Sequence, residues 1–447
     1  MKILHYFLGF PPYRSGGLTN FCIDLMDTQV RDGHCVSALW PGKISLLSRK
    51  TRIRNGGTIN GIRSFELVNP LPVPLDEGIK DIKSFMASAD KRIYADFLRK
   101  IGADVIHVHT LMGIHKEFFY TASKLNIKTI FTTHDYFGIC PKVTLYRNGA
   151  PCNDECNCNY CPECNSRALS IKKITLMQSP LYRNLKNSFL VKKLRQKHRR
   201  DFFEENTATN AVNVLQGNPE EAEMYRNLRR FYLNMIKQVD IVHFNSSVSR
   251  NVYMKYMPPV QGEVITISNK EISDNRSLEQ RPCDKLRLTY LSPPKAFKGF
   301  NLIRNVLDDL WKQGIRNFEL HLYCDVPSPS AYMKVYSDGF RRDELKSVFE
   351  ETDVLLAPSI WYETFGFTVL EAVSYAVPVI VSKNVGASDI VGNGGIVIEP
   401  NSECALKEAI TSLTHEKIQQ MKQNIRAVPA PKTWETFVQE IYQLMKG

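Results

Sequence analysis

"WYETFGFTVLEA", residues 361 to 372, lies between two apolar runs and carries two carboxylates, Glu363 and Glu371, with seven mostly apolar residues between them. A buried helix has no use for Glu363, and a surface loop would not hold so many bulky side chains. The stretch follows "DVLLAPS" (353 to 359), which reads as a strand, and "GFTVLEAVSYA" reads as a helix beginning near Gly366. Such a helix aims its free N–H groups and its positive dipole end at whatever lies beyond the strand, and anions bind there readily. Glu363 then sits in the loop before the helix, and Glu371 sits about one and a half turns into it. Two carboxylates so placed can accept hydrogen bonds from hydroxyl groups at two ends of one ligand whose middle is anionic.

Outward from this stretch, the same alternation fills the chain. "KILHYFLG" reads as strand, "PPYRSGG" as turn, "LTNFCIDLMDTQVRDG" as helix and "HCVSALW" as strand. "ADVIHVHT", "KEFFYTASKLN", "IKTIFTTHD" and "QVDIVHFNSS" continue the set. From Val264 to Lys285 the chain turns polar, and beyond it the pattern restarts with "LRLTYLS". Strands alternating with helices imply parallel sheets covered on both faces. At 447 residues the chain is too long for one core. The expected division is an N-terminal α/β domain over 1–265 with an insert at about 140–235, a linker at 266–285, a second α/β domain over 286–430, and a C-terminal helix over 431–447 packing back on the first domain. Ligands of such sheets bind beyond the carboxyl ends of the strands. "FPPYRSGG", "THD" and "PSIWYETFG" all fall there, on both sides of one cleft.

Composition narrows the setting. No apolar run approaches the roughly 18 residues that span a bilayer, and Gly9, Pro11 and Pro12 break "MKILHYFLGFPP" before a signal-peptide core could form. A cytosolic, reducing compartment is therefore expected, and the eleven cysteines are not expected to form a disulfide framework. The formal charge of +12 asks for an anionic partner. Between Cys164 and Arg200 stand eleven Lys or Arg and no acid, and "SIKKITLM" and "NSFLVKKLRQKHRRDFF" mix basic with apolar residues as a helix on an anionic membrane surface would.

Six cysteines fall between 140 and 164, closing with Cys161-x-x-Cys164, whose spacing lets two thiolates grip one tetrahedral metal. Cys140 and Cys152 could complete a four-cysteine structural zinc site, with Cys156 or Cys158 as substitutes. An iron–sulfur cluster or reduced thiols are the other readings.

Hydroxyls, a diphosphate and a second group of hydroxyls describe a nucleotide sugar. With "MKILHYFLGFPPYRSGG", "ADVIHVHT", "TTHD", Lys298-Gly299 and "PSIWYETFGFTVLEAVSYAVPVIVSKNVGASDIV" in this order, the sequence resembles the family 4 retaining glycosyltransferases, specifically a subset with cysteines after the His-Asp motif. The resemblance implies the GT-B fold, two Rossmann-like domains facing across a cleft. It implies that Glu371 accepts from the ribose hydroxyls and Glu363 from those of the donor sugar, beside the N–H groups of Phe365, Gly366 and Phe367. Lys298 would neutralise the diphosphate, Gly17 would bring backbone to it, and His134 would face the reacting centre. Metal-independent transfer from a UDP- or GDP-sugar to a lipid-linked saccharide, at the inner face of a bacterial membrane during surface-polysaccharide synthesis, is the implied activity. Pro293 stands where the family usually carries arginine, and Ala376 where glycine is usual. Pro293 also motivates a second reading, a catalytically weakened partner subunit. A zinc-containing nucleic-acid-binding protein is a third, disfavoured because few aromatics interleave the basic block. On its own, His134 reads first as a strand-end histidine bonded to a backbone carbonyl, and only the rest of the pattern makes it a site residue; His107 and His109 read as structural.

Overall fold

A computed structural model describes residues 1–45, 48–154, 157–185, 218–257, 260–277 and 284–447, with 188, 189, 191, 193 and 279 besides. In the first sheet, β1 (Lys2–Tyr6), β2 (Cys35–Pro41), β3 (Arg52–Ile59), β4 (Ile62–Val68), β5 (Val105–Val108) and β6 (Lys128–Thr132) precede a small hairpin, β7 (Tyr146–Arg147) and β8 (Ala150–Pro151); β9 (Ile241–Phe244) and β10 (Gly262–Val264) complete it. Their spatial order is β10-β9-β6-β5-β1-β2-β4-β3. The second sheet holds β11 (Leu286–Tyr290), β12 (Phe318–Leu322), β13 (Met333–Val335), β14 (Val354–Ala357), β15 (Val379–Ser382) and β16 (Gly395–Ile398), in the order β13-β12-β11-β14-β15-β16. Short apolar strands buried along their whole length, such as Val105–Val108 and Val379–Ser382, are what a sheet covered on both faces requires.

The expected parallel pairing fails at one edge. β3 runs antiparallel to β4, because Asn60-Gly61 closes a tight hairpin with both residues at positive φ.

Helix Trp434–Lys446 crosses back to the first domain. The Trp434 indole N–H donates to Thr28 Oγ1 at 2.9 Å, and Phe21 packs edge-on against the same indole. The Tyr442 hydroxyl donates to Asp32 at 2.7 Å, and Lys128 Nζ caps the helix end on the Leu444 carbonyl. One apolar cluster runs unbroken from Phe21 and Trp434 to Val369 and Val385 in the second domain.

The polar segment between β10 and β11 is no loose tether where it is described. Ile267 and Ile272 are buried, Ser268 donates to the Lys432 carbonyl, and Arg276 donates to the Ile425 and Val428 carbonyls. Ser268 and Arg276 thus donate to main-chain acceptors and Lys270 pairs with Asp24, which the composition alone does not disclose.

Candidate active site

The carboxyl ends of both sheets meet at the loop between β14 and helix Phe367–Ser374. Backbone bonds clamp this loop: Glu363 N–H donates to the Asn384 carbonyl at 2.8 Å, and Ala387 N–H to the Phe365 carbonyl at 2.7 Å. Gly366 caps the helix at φ 109°, where a Cβ would meet the Val385 side chain at 2.7 Å. Only glycine suits that corner.

Glu363 is held from two sides. Lys298 Nζ donates to its Oε1 at 2.5 Å, and Ser359 Oγ donates to its Oε2 at 2.8 Å. The Lys298 and Glu363 side chains are 18% and 19% exposed, so the pair is neither lost in the core nor loose in solvent. Lys298 ends the short turn Ala296–Lys298 after β11, with its ammonium 5.2 Å from the centre of the Trp361 ring. The following Gly299, at φ 82°, lies so close to the Pro358 carbonyl that a Cβ would stand 2.2 Å from that oxygen. This contact sets the lysine against the glutamate.

The first domain closes on the same loop. Thr364 Oγ1 donates to the His134 carbonyl at 3.1 Å, and Ser246 Oγ donates to the Thr364 carbonyl at 2.8 Å. His134 stands just beyond β6, its ring edge-on to Phe21. Burial brings its imidazole down to about 3, so the ring is neutral at neutral pH. Glu371 is the fifth residue of helix Phe367–Ser374 and is partly buried. The Phe365 side chain is buried and that of Phe367 partly so, which leaves their main-chain N–H groups as what they can offer a ligand. Gly17 opens helix Gly17–Arg31 after β1, and a Cβ there would meet nothing within 4 Å. Space is present beside it, but the geometry does not demand glycine. Glu363, Lys298 and His134 are therefore linked through one loop, with Gly17 at the start of a helix and Glu371 in the middle of another, both helices following a strand's carboxyl end.

Several neighbours escape the sequence reading. Asp135 accepts from Phe137 N–H at 2.8 Å, and burial pushes its carboxyl up to about 6. The buried Tyr136 hydroxyl and Trp361 indole N–H have no hydrogen-bond partner among the described residues. Asp135 was visible beside His134 in "THD"; nothing in the sequence marks the other two as orphans.

The cysteine segment is only partly assembled. Cys161 is buried, and Cys140, Cys152 and Cys164 are partly buried. Burial raises the Cys164 thiol to about 12, with Cys140 and Cys152 near enough to add to the rise. Among the described residues, however, no three of these sulfurs lie within 4.8 Å of one another. Cys156 lies outside the described residues. The groups that do meet this distance are His5, His107 and His109, and Cys22, His109 and His134.

The basic block is also altered by the fold. Arg183 is spent on the buried Glu66 at 2.7 Å and lies over the Tyr13 ring. Most of "NSFLVKKLRQKHRRDFF" lies outside the described residues.

Comparison with known proteins bears on the fold and on residues 334–428. The fold is matched by the sucrose-phosphate synthase of Thermosynechococcus elongatus, 13% identical with a TM-score of 0.55, covering 99% of this chain and 98% of that one. Anabaena HepE, solved with UDP and glucose, is 13% identical with a TM-score of 0.54 and full coverage of both chains. The chain thus has the GT-B fold, two Rossmann-like domains. Residues 334–428 match the family described as "Glycosyl transferases group 1". Sucrose-phosphate synthase 4 of Arabidopsis thaliana is 24% identical over 184 residues, covering 38% of this chain and 17% of that protein. The chain therefore spans under a fifth of the length of that curated relative. The likeness to the group 1 glycosyl transferases is thus one of residues 334–428, and the likeness to the solved structures is one of fold.

Proposed function

We propose that the chain is a retaining, metal-independent glycosyltransferase that moves a sugar from a UDP- or GDP-sugar to a lipid-linked saccharide in bacterial surface-polysaccharide synthesis. The observation that carries the reading is the Lys298–Glu363 pair, 2.5 Å apart at the meeting of both sheets' carboxyl ends. A cation and an acceptor in contact suit adjacent parts of one ligand, the diphosphate and the donor sugar's hydroxyls. On donor binding, Lys298 would turn from Glu363 toward the diphosphate and stabilise charge growing on the leaving group. Glu363 would then take hydroxyl donors, with Ser359 still holding its other oxygen. Glu371 would accept from the ribose. His134 would face the sugar from the first domain, and the leaving phosphate itself would take the acceptor's proton. That the Anabaena protein of this fold was solved with UDP and glucose favours such a donor.

A lipid-linked acceptor is favoured by one surface. Leu176, Leu181, Leu185 and Phe189 are exposed, and Lys172, Lys173 and Lys193 stand exposed among them. Exposed apolar side chains interspersed along the chain with exposed lysines suit the inner, anionic leaflet of a cell membrane. No helix among the described residues is long and apolar enough to cross a membrane. Flotation with liposomes is the check: binding to anionic vesicles that salt releases supports docking, and equal binding to neutral vesicles defeats it.

Structural zinc on Cys140, Cys152, Cys161 and Cys164 is a separate proposal that plays no part in the chemistry. Its support is Arg229, buried with its Nη2 beside Cys161 Sγ at 4.0 Å and with no carboxylate salt bridge among the described residues. Metal-bound thiolates would balance that charge. Elemental analysis of protein purified without added metal tests it; no zinc, with freely titrating thiols, would reject it.

The enzymatic proposal is tested by incubating purified protein with UDP-, GDP- and dTDP-sugars and following release of nucleoside diphosphate. Turnover with one donor class, cut sharply in Glu363→Ala, is expected. No turnover with any donor would leave a weakened partner subunit as the better reading.

A further inference from the structure

Behind His134 stands a row of imidazoles that the proposed reaction does not use. His5 lies on β1 beside its register partner His107 on β5, and His109 follows β5. His5 Nε2 is 2.7 Å from Gln29 Oε1, His5 Nδ1 is 3.0 Å from His109 Nε2, and His109 Nδ1 is 3.1 Å from His134 Nε2. Gln29, His5 and His109 are at most 1% exposed, so no bulk water replaces these bonds. Burial keeps all three rings neutral, with His5 brought down to about 4, His109 well below its ordinary value and His134 down to about 3. Each ring therefore carries one N–H and one lone pair, and a row of such rings has a direction.

With Gln29 Oε1 toward His5, and Gln29 Nε2 buried without a hydrogen-bond partner among the described residues, the direction is set at the buried end. A carbonyl oxygen can only accept, so His5 Nε2–H donates to Gln29 Oε1 and its Nδ1 is left as an acceptor. His109 Nε2–H must then donate to His5 Nδ1, and His134 Nε2–H to His109 Nδ1. Turning the Gln29 amide over would reverse every bond and put the proton of His134 on Nδ1. We propose that Gln29 is a positioning residue that, through His5 and His109, fixes His134 as the Nε2–H tautomer, so that its Nδ1 offers a bare lone pair to a hydroxyl of the bound sugar. The sugar hydroxyl rests on the glycosyltransferase reading; the tautomer does not. The same bonds occupy nitrogens of His5 and His109 that could otherwise gather a metal ion.

Long-range ¹H–¹⁵N correlation spectra of the full chain labelled on histidine decide it at neutral pH, with His134→Gln used to assign the His134 signals. The wild-type protein is expected to show His134 only as the Nε2–H form. A proton on Nδ1, or a mixture, would overturn the proposal. Gln29→Met removes both acceptor and donor and should turn His134 into a mixture; Gln29→Glu, which still accepts, should keep the single form. His134 unchanged in Gln29→Met would mean that Gln29 sets nothing. If that variant does not fold, His5→Asn breaks the row at its first ring and should give the same mixture. With a working donor, kcat/KM should fall by about tenfold in Gln29→Met, the value of one hydrogen bond, and return within about twofold in Gln29→Glu. Absence of turnover with every donor would overturn the glycosyltransferase reading alone, since the spectrum judges the tautomer row without it.

Discussion

The two halves of the site are built from opposite materials. The second domain supplies charge: Lys298 and Glu363 stand on turns and loops and Glu371 within a short helix, all partly open to solvent. The first domain supplies neutral imidazoles, buried and bonded to one another behind His134. A charge that must meet a diphosphate cannot be buried deeply, because desolvation would cost several kcal/mol before any ligand arrived. A ring that must present one defined nitrogen gains from burial, which removes the competing water and the second proton. On the proposed reading, charge meets the ligand on one side and a fixed tautomer on the other.

Acid should break this contrast most severely. His5, His115 and His243 are brought down to about 4 and His134 to about 3, with His107 and His109 also well below the ordinary value. Their unfolded forms take up protons near pH 6.5, so stability is full above that pH and is lost as pH falls toward 4. At pH 5 each contributes a loss of about 2 kcal/mol, and several together approach the whole stability of a domain, about 5–15 kcal/mol. Asp135 opposes them weakly, since its raised carboxyl favours the folded state as pH drops from 6 to about 4. Urea unfolding between pH 7.5 and pH 5 should show a steep decline, and a flat profile would contradict the buried, neutral row.

The seam between the halves comes next. Trp434→Ala removes a fully packed indole and its bond to Thr28, at an expected cost of about 3–5 kcal/mol read as a fall in melting temperature. The charged half should be more forgiving of folding and less of function. Glu363→Ala should lower kcat/KM by the equivalent of about 2–4 kcal/mol while the melting temperature stays near wild type. Glu371→Ala should act mainly on donor binding, because a ribose contact is made before and during reaction alike. The smallest expected effect is Thr364→Val, which breaks the hydrogen bond to the His134 carbonyl for about 1 kcal/mol. In a double-mutant cycle with Ser246→Ala, coupling between the two would show that the loop is held as one unit.

Much of the second domain was legible because its chemistry sits in one continuous stretch. Glu363, Gly366 and Glu371 announce a loop, a cap and a helix within nine residues, and periodicity does the rest. The first domain hides its chemistry in pairing. His5, His107, His109 and His134 become neighbours only when β1, β5 and β6 lie side by side, and no spacing along the chain shows that Gln29 faces His5. The β3–β4 hairpin is hard to read because β3 mixes exposed polar residues with glycines, although β4 is buried along nearly its whole length. Arg183 shows the reverse error, a cation counted as surface charge that the fold spends on buried Glu66. The cysteine spacing suggested four ligands, yet the described residues do not gather three of those sulfurs.

Calorimetric titration of UDP- and GDP-sugars into wild-type protein and into Lys298→Ala and Lys295→Ala tests most directly that the diphosphate lies against Lys298. With Pro293 where an arginine is usual, Lys298 is expected to be the main cation on the diphosphate. One donor class should bind wild type, Lys298→Ala should weaken it by about ten- to a hundredfold, and Lys295→Ala should weaken it less. Equal affinity in wild type and Lys298→Ala would contradict the placement of the donor at the meeting of the two domains.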